Sequence, residues 1–118
     1  MLALAQLDLG QIADAQATVE RRLALSRSLR FDPNFNIAYA RVLLATGRGA
    51  EAIEPMRVSY GEWLSVQPKS PFAAESLYWF GTAYLYAGDK RGRWMVAQAK
   101  RELAKSPIAS HRALAQTP

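Results

Sequence analysis

Residues 71–88 read PFAAESLYWFGTAYLYAG, an apolar stretch that ends at a glycine and is followed by the charged segment DKRGR. Two further glycines stand in matching contexts, since Gly10 is followed by QIADA and Gly47 by RGAEA. Each glycine is predicted to end a helix in the left-handed conformation that glycine adopts without steric cost. The glycines recur at spacings of 37 and 41 residues, a period typical of stacked pairs of helices.

Prolines divide the chain between these glycines, at Asp32-Pro33, Gln67-Pro68 and Ser106-Pro107. Proline lacks the amide donor and disfavours helix in the residue before it. Together, glycines and prolines predict seven helices, over residues 1–9, 11–29, 34–46, 49–66, 71–87, 91–105 and 108–116. Pro55 lies about one and a half turns inside the fourth helix and is predicted to bend it.

The composition favours an all-α fold and gives little support to chemistry. Half of the 118 residues are hydrophobic, and alanine and leucine dominate over the β-branched types. The chain has no cysteine and one histidine, so we predict no disulfide, no metal site and no cofactor. The pattern contains no phosphate loop and no catalytic spacing of Ser, His and Asp. His111 is interpreted as a solvated surface residue, and the chain as a protein that is not an enzyme.

The second helix of each pair carries an apolar stripe at helical spacing. One stripe is Ile12, Ala15, Val19 and Leu23, and another is Met95, Ala99 and Leu103. Each stripe predicts one buried helix face.

The motifs of these helices resemble those of the tetratricopeptide repeat family. Leu77-x2-Phe80-Gly81-x2-Tyr84 matches the first-helix signature, in which the small residue lets two helices approach closely. The second repeat has a diluted form of this signature, Tyr39-Ala40-x2-Leu43. The second-helix signature occurs as Ala15-x3-Val19 and Ala52-x3-Met56, and it fails in the third repeat, where Arg93 stands at the alanine position. The resemblance implies an α-solenoid of three helix–turn–helix hairpins, residues 1–33, 34–68 and 71–107, with a capping helix at 108–116.

In this family the first helix of each pair lines a concave groove. By distance from the glycines, the resemblance implies a groove at Asn34, Ile37, Arg41, Leu44, Ala45, Glu75, Tyr78, Thr82, Leu85 and Tyr86, with Leu4, Leu7 and Asp8 in the first repeat. Such an amphipathic strip suits an extended peptide or a partner helix, with Arg41 and Glu75 fixing its orientation. The alternative is a groove filled by other parts of a longer parent protein.

The basic residues are concentrated late in the chain. The net charge is +5, and residues 71–118 carry seven basic and three acidic side chains. On the predicted sixth helix, Lys90, Trp94, Arg101 and Lys105 share one face, where a tryptophan among cations can meet a nucleobase or a lipid headgroup. We favour the other interpretation, in which Trp94 packs beneath the terminal helix and the cations keep the surface soluble. Nucleic acid is therefore not the predicted partner.

No run of about 18 apolar residues predicts a transmembrane helix, and no targeting segment is evident. The sequence is therefore interpreted as that of a cytoplasmic protein. Helical sequence begins at Met1 with no cap residue before it, which suggests a fragment of a longer protein. A regulatory or sensory segment of a larger bacterial kinase or transcription regulator is an open alternative to a free-standing adaptor. The oligomeric state and the identity of the partner are not determined by these patterns.

Overall fold

The computed structural model describes residues 1–25 and 32–118, and within those ranges the chain is all-helical, with no strand. The helices are α1 (Leu2–Asp8), α2 (Ile12–Leu25), α3 (Pro33–Ala45), α4 (Ile53–Val66), α5 (Pro71–Tyr86), α6 (Arg91–Leu103) and α7 (Ala109–Ala115). A short 3-10 helix, Gly49–Ala52, precedes α4. The all-α prediction is confirmed, and the predicted end of the second helix at residue 29 lies outside the described residues.

The three glycines that punctuate the sequence have the backbone conformation expected of them. Gly10, Gly47 and Gly88 have φ angles of +76°, +80° and +83°. Each lies just after α1, α3 or α5, where a left-handed residue ends a helix and glycine avoids the clash of a Cβ. The turn that follows each glycine reverses the chain, so α1–α2, α3–α4 and α5–α6 form three helical hairpins.

The start of the fourth helix differs from the prediction. The turn after Gly47 runs into the 3-10 helix, and α4 begins only at Ile53. Pro55 is therefore the third residue of α4 and lies in its first turn. Amides of the first turn lack intrahelical acceptors, so proline is tolerated there. The prediction that Pro55 lies about one and a half turns inside the fourth helix is wrong.

Each hairpin packs against the next one along the chain. Helix α3 lies against both α1 and α2, and helix α5 lies against both α3 and α4. The buried apolar side chains form three core clusters that follow this order. The first cluster joins α1, α2 and α3 around Val19 and Phe35, and the second joins α3, α4 and α5 around Leu43 and Met56. The third joins α5 and α6 around Leu103 and is partly covered by α7.

Helices α5 and α6 cross in close contact at two glycines, Gly81 and Gly92. A Cβ on Gly81 would lie 2.9 Å from the Cβ of Met95, and one on Gly92 would lie 2.3 Å from the carbonyl oxygen of Gly81. Because backbone meets backbone at this point, no larger residue fits without separating the helices. The prediction that Gly81 permits a close approach of two helices is confirmed.

Candidate interaction surfaces

The first helices of the three hairpins, α1, α3 and α5, lie side by side and are linked by Arg41. From α3, its guanidinium forms an ion pair with Asp8 of α1, at 3.0 Å to Oδ1. The same group lies 5.4 Å from the ring centroid of Trp79 on α5, within the range of a cation–π contact. We call the surface around Asp8, Arg41 and Trp79 the first-helix face.

The structure divides the predicted groove residues into accessible and buried sets. Asn34, Leu85 and Tyr86 are exposed, and Arg41, Leu44 and Thr82 are partly exposed. Leu7, Ile37 and Tyr78 are buried, with 7%, 2% and 9% of their surface exposed. Leu7 belongs to the first core cluster and Ile37 to the second, whereas Tyr78 lies beneath the end of the chain, with its hydroxyl 2.9 Å from Thr117 Oγ1. These three side chains pack the interior in this structure and are closed to a partner.

Leu85 and Tyr86, at the end of α5, are exposed but already have packing roles. A Cβ on Gly49 would lie 2.4 Å from Cγ of Tyr86, so this ring rests directly on the start of the 3-10 helix. In the same way, a Cβ on Gly92 would lie 2.7 Å from Cγ of Leu85. Both side chains therefore present one side to the protein and leave the other open to solvent.

His111 holds α7 in place, and its prediction as a solvated surface residue is wrong. The ring is only 2% exposed. Its Nδ1 shares a hydrogen bond of 2.9 Å with Ser106 Oγ, and its Nε2 lies 3.0 Å from Oε1 of Glu75 on α5. Phe72 meets the ring edge-on at 5.2 Å between centroids. A buried polar ring needs such partners, and here they join α7 to the start of α5.

The row Ser106–His111–Glu75 has the groups of a nucleophilic triad but not its accessibility. Ser106 is 5% exposed. Its Oγ accepts a hydrogen bond of 3.1 Å from the amide of Ile108, as in the turn that opens a helix. The hydroxyl is therefore oriented by the turn and closed to a substrate. Glu75, which the resemblance placed in the groove to orient a partner, is instead engaged by α7 in this structure.

The basic face of α6 is more open than the sequence predicted. Trp94 is 57% exposed, so the prediction that it packs beneath the terminal helix is wrong. Lys90, Arg101 and Lys105 are exposed on the same side of the helix. Lys105 lies 3.6 Å from Glu102, an exposed pair that neutralises part of this charge. We call Lys90, Trp94, Arg101 and Lys105 the α6 stripe.

Two clefts lie between successive hairpins. A cavity of about 310 Å³ is bounded by α2 and α3 and is lined by Val19, Leu23, Tyr39 and Arg48 among others. A second cavity of about 280 Å³ lies between α4 and the α5–α6 hairpin, with Tyr60 of α4 and Leu77 of α5 in its wall. Burial raises the pKa of the Tyr60 hydroxyl, and Lys69 and Glu102 add charged groups to the same wall.

The carboxyl groups whose pKa lies below its ordinary value all belong to exposed ion pairs. Hydrogen bonds from Arg48, Arg57 and Arg91 lower the pKa of the carboxyl groups of Glu51, Glu54 and Asp89, respectively. All six side chains are exposed to solvent or nearly so, where such pairs stabilise little.

In the described part of the chain, no group of three or more His, Asp or Glu side chains is arranged to hold a metal ion. Within the same residues, no helix is long and apolar enough to cross a bilayer.

The sequence interpretation missed Gly92, His111 and Trp79. Gly92 carried a signal, because it continues the stripe of Met95, Ala99 and Leu103 at a spacing of three and four residues. Trp79 and His111 carried none, because Arg41 and Glu75, which they contact on other helices, are more than 30 residues away along the chain. Comparison of the chain with protein-family models, with curated proteins and with solved structures finds no match.

Proposed function

We propose that this chain is a non-enzymatic protein-interaction module, built as an α-solenoid of three tetratricopeptide-like hairpins closed by α7. The order of packing supports this proposal, since α3 and α5 each lie against both helices of the preceding hairpin. The glycine crossing at Gly81 supports it as well, because the family signature has its small residue at that position. In such a stack the first helices form one continuous surface.

The observation that carries the functional proposal is the position of Arg41. Its side chain is 23% exposed and connects all three first helices at the surface, whereas its ionic partner Asp8 is 69% exposed. A carboxylate of a partner can therefore replace or join Asp8 at the guanidinium, where two parallel hydrogen bonds give both affinity and orientation. Ala45, Leu85 and Tyr86 add exposed apolar surface at the ends of α3 and α5. We infer that the ligand is an extended peptide or a partner helix that carries an acidic residue beside apolar ones.

Selection from a displayed library of random peptides tests this function with no assumption about the partner's sequence. The purified chain should enrich peptides with an acidic residue next to aliphatic or aromatic ones. Arg41→Glu should abolish binding of the selected peptides, because it places like charges together on the first-helix face. Arg57→Glu is the matched control, since Arg57 is exposed on α4 and paired with Glu54. Peptides that bind Arg41→Glu as well as the parent protein would refute the proposed surface.

A second candidate function is favoured by the exposure of Trp94 on the α6 stripe. An exposed indole between cations can stack on a nucleobase or lie among lipid headgroups. Binding to a single-stranded oligonucleotide or to anionic vesicles should then weaken steeply as salt is raised, and Arg101→Glu should reduce it. Absence of binding at about 0.15 M salt, where exposed charges more than about 8 Å apart are screened, would remove this candidate.

A further inference from the structure

The outer side of α1 carries apolar side chains that no part of the described chain covers. Leu2 and Leu9 are 58% and 73% exposed, and Ala5 between them is also exposed. At about 100° per residue these three side chains share one side of α1 and its C-cap, away from the side that buries Ala3 and Leu7.

The other hairpins indicate what this side of α1 is shaped to do. Leu2 lies eight residues before Gly10. Tyr39 and Phe80 lie at the same distance before Gly47 and Gly88. Tyr39 packs against the cluster that α1 and α2 supply, and the Phe80 ring lies 6.2 Å from Tyr60 on α4. Likewise Ala5 corresponds to Val42 and Ala83, which are 4% and 0% exposed. In hairpins two and three, these positions therefore pack against the preceding helical pair, with Tyr39 and Phe80 partly buried and Val42 and Ala83 buried. This comparison rests on the proposed stacking of equivalent hairpins.

A second intact copy offers one matching surface, which is its own first hairpin. Its α1–α2 pair is already occupied by α3, and its α3–α4 pair by α5. The α5–α6 pair is occupied by α7, through the contacts of His111 and Tyr78. Two copies can therefore bury the exposed side of α1 only by placing their first hairpins face to face, which requires a two-fold axis.

The first hairpin is self-complementary about such an axis. Thr18 Oγ1 donates a hydrogen bond of 2.8 Å to Gln6 Oε1, which sets these two residues at the same level on the antiparallel helices. On α1, Leu2 and Leu9 lie at similar distances on either side of this level. On α2, Asp14 and Arg21 also lie at similar distances on either side of this level. Both are exposed, and both lie on the same side of α2 as Thr18.

We propose that two copies of this chain form a dimer through the α1–α2 face, about a two-fold axis that crosses both helices at the Gln6–Thr18 level. This axis places Leu2 against Leu9 of the second copy and Asp14 against Arg21 of the second copy. The contact removes four large apolar side chains from water and forms two opposite-charge pairs. No like charges face each other across the axis in this register.

The dimer is tested with the purified full chain, by sedimentation equilibrium up to about 1 mM, the limit of a weak specific association. Leu2→Glu should raise the dissociation constant at least roughly 100-fold, because each dimer then buries two carboxylates, one against each Leu9. Leu64→Glu is the matched control, since Leu64 is a 44% exposed leucine on α4, and it should leave the dimer unchanged.

A charge exchange tests the two-fold register itself. Asp14→Arg and Arg21→Asp should each weaken the dimer, roughly fivefold or more, by facing like charges across the axis. The double variant, Asp14→Arg with Arg21→Asp, should restore the parent affinity because opposite charges meet again.

A chain that remains monomeric, a dimer that tolerates Leu2→Glu, or a double variant that is not restored would each overturn the proposal. Dimerisation is measured in the absence of peptide, so it is independent of the proposed function. A chain that is monomeric but binds peptides through Arg41 would contradict only the dimer. A chain that dimerises but binds no peptide would contradict only the proposed function.

Discussion

The hairpin α5–α6 is covered on its outer side by α7, whereas the hairpin α1–α2 leaves Leu2 and Leu9 exposed on α1. At the covered end, a seven-residue helix is held by one buried histidine and by Thr117 at Tyr78. At the other end, Leu2 and Leu9 face solvent in the described part of the chain. The comparison indicates that an apolar helix side at the end of a helical stack is removed from water only when it is capped or paired.

The tightest contact at the covered end gives the largest expected effect. Gly92→Ala should lower the free energy of unfolding by about 3 kcal/mol, because the new Cβ meets the backbone oxygen of Gly81 and the helices must separate. Urea titration measures the loss. Gly61→Ala is the matched control on α4, where a Cβ meets nothing within 4 Å. It should raise stability by roughly 0.5–1 kcal/mol, since alanine favours helix. Equal effects of the two variants would mean that the glycine crossing is not tight.

Removal of the His111 ring should cost somewhat less. His111→Ala leaves a cavity and deprives buried Ser106 of a partner, so we expect a loss of about 2 kcal/mol. Hydrogen exchange should show that α7 loses protection while α1 and α2 keep theirs. Uniform loss of protection along the whole chain would contradict the view of α7 as a cover for one end.

Arg41 links the first helices across the middle of the molecule, where solvent reduces its contribution. Arg41→Ala should lower the free energy of unfolding by about 1 kcal/mol, the combined value of a partly exposed ion pair and a cation–π contact. Arg57→Ala, which removes an exposed pair on α4, should change the urea midpoint by less. An Arg41 variant as stable as the parent would show that the three first helices are held without it.

Trp94 gives the smallest expected effect, because it is exposed beside the covered end. Trp94→Ala should change the free energy of unfolding by no more than about 0.5 kcal/mol. With Trp63 and Trp79 replaced by phenylalanine, emission from Trp94 should resemble that of an indole in water. A blue-shifted emission would mean that Trp94 packs beneath α7, as predicted from the sequence, and would contradict its exposure in the structure.

Local features of the sequence determined most of the helical framework. Glycine at a positive φ angle and proline near a helix start act within a few residues, so the seven helices and the crossing at Gly81 were predictable. The 3-10 start of α4 was not predictable, because Ala50, Glu51 and Ala52 favour an α-helix by their intrinsic propensity.

The surfaces were less predictable, because they depend on contacts between distant residues. His111 is buried by Glu75 and Phe72, which precede it by more than 35 residues, and Tyr78 is covered by Thr117. Helical periodicity placed the α6 stripe on one side of its helix but carried no information on whether α7 would reach that side. The family resemblance implied groove positions, yet three of them, Leu7, Ile37 and Tyr78, are buried in the structure.

The central claim, that a partner is held on the first-helix face, is tested most directly by NMR titration of the isotope-labelled chain with a selected peptide. The account predicts that amide shifts change most around Asp8, Arg41, Ala45 and Thr82, on α1, α3 and α5, and that Ala45→Arg abolishes them. Ala50→Arg, at an exposed position of the 3-10 helix, should leave them intact. Shifts confined to the cleft between α2 and α3, or to the α6 stripe, would contradict it.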